Sequence, residues 1–272
     1  MRDQFPNRTV DDPYLQQALR IISAQFGHDV SVVEKAKNTH KFGRNPAVGT
    51  AASGFTLWAT GQDDAHETYA TILTNPIDSI SSGSAADTEP IVVQGHTSTS
   101  VNGVTRKTYV TQEVTLTGQT RAALTTPLHR VQRAYNSGTA DLAGEVYIYE
   151  NGALTAGKPN TTTDIHLTIL SGNQSDKCAL ANAYNEYYIV TQMHAAVLEK
   201  TAASAELQFQ VCEQGKVFRT IMSSGVDRSA SEVNFWPYQI VPKNADIRLI
   251  AVASGAGTDV SGALNGFIAT VQ

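Results

Sequence analysis

From Thr108 to Thr117 the side chains alternate with a period of two. Val110, Gln112, Val114 and Leu116 fall on one side, and Tyr109, Thr111, Glu113 and Thr115 on the other. An extended strand turns successive residues to opposite faces, so this alternation is a strand signal. Gly103 and the turn Thr117-Gly118-Gln119-Thr120 bound it, and similar short, Thr-rich runs recur almost to the C-terminus. A chain of short antiparallel strands with a single helical pattern near its start reads as a binding or assembly module rather than an α/β enzyme.

The 272 residues can bury a substantial core. A β-sandwich needs about 100 residues, so two such units fit behind an N-terminal segment. The expected fold is mainly β: two antiparallel, jelly-roll-like β-sandwich units preceded by an N-terminal helical arm. The expected boundaries are 1–52 for the arm, 53–158 for the first sandwich and 159–272 for the second.

Asp11-Asp12-Pro13 supplies an acidic N-cap and a proline at the first helical position. Leu15, Ala18, Leu19, Ile22 and Phe26 then recur at helical spacing, and Gly27 is a stop signal. This apolar stripe packs either on the protein's own sheet or on another subunit. Residues 29–52 carry little regular pattern, and Lys41-Phe42-Gly43-Arg44-Asn45-Pro46 ends in a turn signal. Long patternless stretches are uncommon inside compact domains, so residues 1–52 read as an arm that gains order by lying on something else.

The first β region runs through Phe55–Trp58, Ile77–Ile80, Pro90–His96, Lys107–Thr117, His129–Tyr135 and Glu145–Glu150. Asn151–Asp164, with Gly152, Gly157 and Pro159, is the linker candidate. The second region runs through Ile165–Leu170, Tyr187–Glu199, Ala205–Cys212, Lys216–Met222, Val233–Val241, Ile247–Ala253 and Gly266–Val271. The turn residues of Val241-Pro242-Lys243-Asn244-Ala245-Asp246 suit a sandwich connection.

Charged residues make up 17% of the chain, below the roughly 25% of an average soluble domain. Such a neutral surface tolerates being covered by neighbours. A net charge of -5 gives no long-range attraction for nucleic acid or anionic lipid. The basic run Lys35, Lys37, Lys41, Arg44 stands beside Glu34 without regular aromatic interleaving. No run approaches the roughly 18 apolar residues needed to span a bilayer, and the first residues lack the apolar core of a signal peptide. Synthesis in a cytoplasm is therefore expected.

Asp63-Asp64-Ala65-His66-Glu67 is the densest group of potential ligands, but its spacing fits neither an EF-hand nor HExxH, and a solvated turn explains it. The serines lack a GxSxG elbow, the seven histidines are scattered, and no glycine pattern cradles a nucleotide. His129, His166 and His194 lie on expected strands, where imidazoles serve structure. Cys178 and Cys212 are the only cysteines, too few for a disulfide framework although one bridge remains open. Cys212, at the end of a strand, reads as a buried, inert thiol. No catalytic, cofactor or metal residue is expected. Tyr184, Tyr187, Tyr188, Phe235, Trp236 and Tyr238 suit either core packing, an interface or stacking on sugar rings.

Several segments together resemble tailed-bacteriophage virion structural proteins. They are Lys41–Pro46, Ser84-Ala85-Ala86-Asp87 leading into Ile91-Val92-Val93-Gln94-Gly95, Val114–Gly118, Arg130–Tyr135, Lys200–Ser204 and Lys216-Val217-Phe218-Arg219. The resemblance spans roughly residues 40–220 and implies a β-rich, non-enzymatic particle component, with no catalytic residue inherited. The expected function is a capsid decoration or cement subunit, or a neck or tail accessory subunit, made in the host cytoplasm and incorporated into the virion. Its partners are other copies of itself and capsid, portal, neck or tail proteins. Leu15, Leu19, Ile22, Phe26, Phe42 and Arg44 are the expected assembly contacts. The alternative is a module binding carbohydrate or a host receptor.

Overall fold

The computed structural model describes residues 33–58, 75–101, 104–177, 180–199, 204–213, 216–227 and 230–271. The expected helix at Pro13–Phe26 and the Asp63–Glu67 cluster lie outside these residues. Those described are mainly strand, joined by turns and loops, with one 3-10 turn at Thr162–Asp164.

The strands are β1 (Val33–Val48), β2 (Phe55–Thr56), β3 (Ile77–Ser82), β4 (Pro90–Val101), β5 (Val104–Thr115), β6 (Ala122–Leu128) and β7 (Arg130–Asn136). Then come β8 (Val146–Glu150), β9 (Leu154–Thr155), β10 (Lys158–Pro159), β11 (Ile165–Ile169), β12 (Ser175–Lys177) and β13 (Leu180–Ala181). The last six are β14 (Glu186–Glu199), β15 (Ser204–Cys212), β16 (Arg219–Asp227), β17 (Ala230–Val241), β18 (Asp246–Ala253) and β19 (Thr258–Val271).

Two pairs of sheets result, each with its own apolar core. Sheets β11-β8-β3-β6 and β12-β7-β4-β5 enclose Ile77, Ile80, Ile91, Val93, Leu116, Leu128, Ile148 and Leu167. Sheets β1-β19-β14-β17 and β13-β18-β15-β16, with β2 also paired to β18, enclose Leu57, Trp58, Tyr188, Met193, Leu207, Phe209, Leu249 and Leu264. All strand pairs are antiparallel, and inward residues alternate with outward ones, as face-to-face sheet packing requires.

Strand order identifies the pattern. In the second pair, with β1, β2 and β14 to β19 counted as strands one to eight, the sheets read one-eight-three-six and two-seven-four-five. In the first pair, with β3 to β8, β11 and β12 counted likewise, they read seven-six-one-four and eight-five-two-three, the same arrangement begun two strands later. Eight strands shared between two sheets in this interleaved way make a jelly roll.

Sheet membership departs from the expected boundaries of 1–52, 53–158 and 159–272. Val33–Val48, expected in an arm, is an edge strand of the second sandwich, running antiparallel to β19. β11 and β12, expected in the second sandwich, complete the first. The Asn151–Asp164 stretch is a small β9–β10 hairpin with Ala156 and Gly157 at positive φ, not the link between units. The first sandwich is therefore inserted between β2 and β13 of the second.

The Asn45-Pro46 turn signal is a break in register within β1. Asn45 Oδ1 accepts the Ala47 N–H at 2.8 Å, and Asn45 Nδ2 donates to the Thr56 carbonyl at 3.0 Å. Proline, lacking an N–H, is tolerated because β1 is an edge strand. Of its lysines, Lys37 is exposed, as suits a free edge where charge discourages pairing with another chain, whereas Lys41 is buried with its Nζ 5.3 Å from the centre of the Trp58 ring. Gly43 is required by close approach: a Cβ there would sit 2.1 Å from the Leu57 carbonyl oxygen.

Candidate functional site

The outer face of the β1-β19-β14-β17 sheet carries the two expected contact residues that the structure describes, Phe42 and Arg44. Register places four rows of side chains across this face. The first is Asn38, Phe267, Ile189, Ile240; the second His40, Asn265, Gln192, Asn234; the third Phe42, Ala263, His194, Glu232; the fourth Arg44, Ser261, Ala196, Ala230. The face thus passes from an apolar end through a polar middle to an end dominated by small residues.

The middle rows are cross-linked by hydrogen bonds. Asn265 Nδ2 donates to Gln192 Oε1 at 2.8 Å and lies 2.9 Å from His194 Nε2. Gln192 Nε2 donates to Asn234 Oδ1 at 3.0 Å and to Glu232, and His40 Nδ1 meets Asn265 Oδ1. Such polar cross-strand pairs steady the sheet. They engage both imidazoles in side-chain contacts, which fits the structural role expected of His194.

Beyond them Phe42 stands 52% exposed. It borders a shallow pocket of about 330 Å³ whose floor includes Ala196, Ala230, Ser261, Gly262 and Ala263, with His194 and Glu232 on its rim. Small side chains on β19, β14 and β17 leave this hollow beside a large aromatic one. Arg44 is anchored rather than free. Its Nε donates to both Asp259 oxygens at 2.9 and 3.2 Å, and Nη2 also meets Asp259. The hydrogen bond and the charge of Asp259 raise the guanidinium pKa. Leu15, Leu19, Ile22 and Phe26 lie outside the described residues.

A second constellation lies where the two sandwiches meet, and sequence reading did not single it out. Lys107 of β5 donates from Nζ to Asp246 Oδ1 at 2.7 Å, and Arg130 of β7 from Nη2 to Asp246 Oδ2 at 3.2 Å. Both cations come from the first sandwich and the carboxylate from the second. Side-chain exposures of 5%, 3% and 10% for Lys107, Arg130 and Asp246 make this a buried triad. Burial pushes the Asp246 carboxyl pKa up, but the charges and hydrogen bonds of Arg130 and Lys107 outweigh it and hold it below the ordinary value. Burial lowers the Lys107 pKa, with Asp246 opposing the shift.

Backbone contacts complete the joint. The Lys107 N–H donates to Asn244 Oδ1 at 3.1 Å, the Tyr184 N–H to the Lys107 carbonyl at 2.9 Å, and Gln132 Nε2 to the Ala181 carbonyl at 2.8 Å. His96 is also buried here, edge-on to Tyr109, with both ring nitrogens lacking a hydrogen-bond partner. Burial, then the Lys107 charge, lowers its pKa to about 3. His129 follows to about 4, again chiefly through burial. Both imidazoles are thus held neutral beside the ion triad.

The remaining expected residues sort by burial. Tyr188 and Phe235 belong to the core, whereas Tyr184 is 39% exposed, with the Arg106 guanidinium 5.2 Å from its ring centre. Lys243 stands over Tyr187 at 5.1 Å, and Tyr238 packs at the apolar end of the outer face. Cys212 is a free, buried thiol whose pKa burial raises. His166 meets Glu150 at 3.0 Å. Among the described residues no His/Cys/Asp/Glu group has metal-binding geometry. Asp87 of the Ser84–Asp87 turn accepts hydrogen bonds from the Ala143 and Gly144 N–H groups at 2.8 and 3.0 Å, which is structural work.

No family model matches the sequence, and no curated protein matches it. Among solved structures the chain has a distant likeness to the infectious bursal disease virus Gx strain structure. The identity is 10%, the TM-score 0.25, and the match covers 88% of this chain and 73% of that one. For the infectious bursal disease virus VP2 subviral particle the identity is 8%, the TM-score 0.20, and the coverage 88% and 73%. Likeness this slight carries no weight for function, which has to be argued from the residues themselves.

Proposed function

We propose that this chain is a non-enzymatic structural subunit of a virus particle, acting through protein contacts with copies of itself and with other virion proteins. The observation that carries the reading is Phe42, half out in solvent beside a hollow floored by small side chains. Exposure of a large aromatic next to a recess lined by small side chains is what a protein contact uses. The nested jelly rolls support the reading by analogy, since that architecture recurs in capsid domains. The sequence resemblance to tailed-phage virion proteins supports a phage particle, as capsid decoration or as a neck or tail subunit.

The test is the association state of the purified chain, by sedimentation over a wide concentration range, with Phe42→Glu alongside. Association that rises with concentration and is weakened by Phe42→Glu, while the fold is unchanged, is the expected result. A wild-type chain that neither self-associates nor is found in purified particles refutes the proposal. A second reading, recognition of a host glycan, is favoured by Tyr184 and Tyr109, both more than a third exposed, with Arg106 beside Tyr184. Jelly rolls also build lectins. Glycan-array binding that is lost in Tyr184→Ala would select it.

A further inference from the structure

Phe42 and the hollow beside it share one face and one level of the β1-β19-β14-β17 sheet. Phe42 pairs with Ala263, Ala263 with His194 and His194 with Glu232; in the next row Arg44 pairs with Ser261, Ser261 with Ala196 and Ala196 with Ala230. The exposed ring therefore rises from β1, at the sheet edge, and the floor at Ala196 belongs to β14, with β19 between them. Neighbouring strands are about 4.8 Å apart, so ring and floor stand about 10 Å apart on opposite sides of β19. The charges divide in the same way. Arg44, with 55% of its side chain exposed, stands beside Phe42, and Glu232, 51% exposed, stands on the rim of the hollow. They weigh less than shape does, because Arg44 is already paired with Asp259.

We infer that the hollow receives Phe42 of a second copy of this chain, the two copies lying face to face about a two-fold axis that runs along β19. The inference rests on the proposed role in self-contact and gives that contact its geometry. A half-turn about a line parallel to β19 keeps the level along the strands and exchanges the strands on either side. β1 of one copy then lies over β14 of the other, and each Phe42 stands over the hollow of its neighbour. The same rotation brings Arg44 of one copy to the side on which Glu232 of the other stands. Sheets packed face to face keep their strand directions within about 30° of each other, and this axis does so. A cavity of about 150 Å³ admits a benzene-sized ring, so a hollow of about 330 Å³ has room for the Phe42 side chain. One face carries both halves of the contact, in the positions that a two-fold axis exchanges, which makes a second copy the fitting occupant. Such an isologous contact uses the same patch twice and closes as a dimer.

The test uses the full chain. A benzophenone side chain at position 42, in an equal mixture of light and heavy-isotope protein, should link one copy to the other around Ala196 and Ala230. Sedimentation should show association through this face that stops at the dimer. Phe42→Ala, which removes the ring, and Ala196→Trp, which fills the hollow, should each weaken it by about tenfold or more, with circular dichroism unchanged. An equal mixture of the two variants should recover part of the loss, since that pair keeps one Phe42 and one open hollow. The cross-link stands even if a variant does not fold. Links from position 42 to another surface, or growth past the dimer that depends on Phe42, would overturn the two-fold contact while self-association stands. A chain that stays monomeric at every concentration also overturns it, and the virion reading falls with it only if the chain is absent from purified particles.

Discussion

Replacing Asp246 by Asn removes the only negative member of a buried triad and leaves two cations facing each other across the joint. Lys107 Nζ at 2.7 Å and Arg130 Nη2 at 3.2 Å lose their shared carboxylate, in a setting where their side chains are 5% and 3% exposed. Breaking a buried ion pair by removing one partner costs about 3–5 kcal/mol, because the surviving charge cannot recover its hydration. Lys107, whose pKa burial already lowers, escapes part of that penalty by releasing its proton. Arg130 cannot, since guanidinium stays charged in proteins. The expected loss is about 4 kcal/mol, a large part of the roughly 5–15 kcal/mol that holds a typical protein folded.

The assay exploits where the fluorophores lie. Trp58 and Trp236 are the only tryptophans, and both belong to the second sandwich. Tryptophan emission therefore follows that unit, while far-ultraviolet circular dichroism follows both. In urea the wild type should unfold with the two signals superimposed. Asp246→Asn should lower the midpoint and separate them, since coincident probes are the mark of one cooperative unit. Replacing Lys107, Arg130 and Asp246 together by Met, Met and Leu should recover much of the loss, because apolar replacement of buried ions is often neutral or stabilising. A loss under about 1 kcal/mol with superimposed transitions would refute the claim that this triad couples the sandwiches.

His96 predicts the response to acid. Its folded pKa of about 3 lies below the ordinary 6.5, so its contribution is complete above pH 6.5 and is lost as the pH falls toward 3. At pH 5 that amounts to about 2 kcal/mol. Burial is the main cause; Lys107 and Arg130 face the ring with positive charge, His129 adds to them only once it is itself protonated near pH 4, Asp246 opposes with negative charge, and the net shift is downward. Denaturation midpoints measured from pH 7.5 to 4.5 should fall, and His96→Phe should flatten the slope; an unchanged slope refutes the assignment. At Gly43 an added Cβ meets the Leu57 carbonyl oxygen at 2.1 Å, whereas at Gly225 it meets nothing within 4 Å. Gly43→Ala should cost about 1–3 kcal/mol and Gly225→Ala should cost nothing measurable by thermal melting; equal effects would contradict the close approach of β1 to Leu57.

Alternation made most of the strands legible. Where one face is buried and the other wet, as along Thr108–Thr117, the period of two is written in the residues. Besides the short β9, β10, β12 and β13, three longer stretches escaped because other demands overrode that pattern. β1 is an edge strand in which charged Lys37 and Arg44 stand exposed, Lys41 is buried over Trp58 and Pro46 sits at a register break, so it looks like a loop. β6 carries Pro127, tolerated at the end of its sheet. The first half of β19 reads as small and featureless because a Cβ added at Gly262 would lie 2.7 Å from Leu249 and from Leu57, leaving no room for a large inward side chain. Of the candidate site, Phe42 and Arg44 were expected as contact residues from the Lys41–Pro46 segment. The Lys107–Arg130–Asp246 triad was not, because Arg130 and Lys107 are separated in sequence by 116 and 139 positions from the shared carboxylate and no local pattern ties the three together.

The order of the sandwiches along the chain was hidden for the same reason and has a mechanical consequence. Composition places a linker where Gly and Pro cluster, at Asn151–Asp164, but that cluster serves a hairpin, and the chain passes between units before residue 75 and after residue 177. An inserted unit is tethered at both ends, whereas a unit joined in series hangs from one. Two tethers restrict rotation, and the buried triad with its flanking backbone hydrogen bonds opposes separation. Relative motion is the default for domains linked by a small polar interface, and here the ions are removed from solvent, so opening the joint exposes charges that are paired only when it is closed. A chain built this way holds the outer face of the second sandwich and the surfaces of the first together, which is what the proposed role as a particle subunit requires. Repeated contacts in a symmetric particle need that constancy, because each copy must meet its neighbours with the same geometry. Asp246→Asn should therefore disturb association more than the exposed Phe42 contact alone explains, and a variant that opens the joint yet associates like the wild type would show that rigidity has no part in assembly.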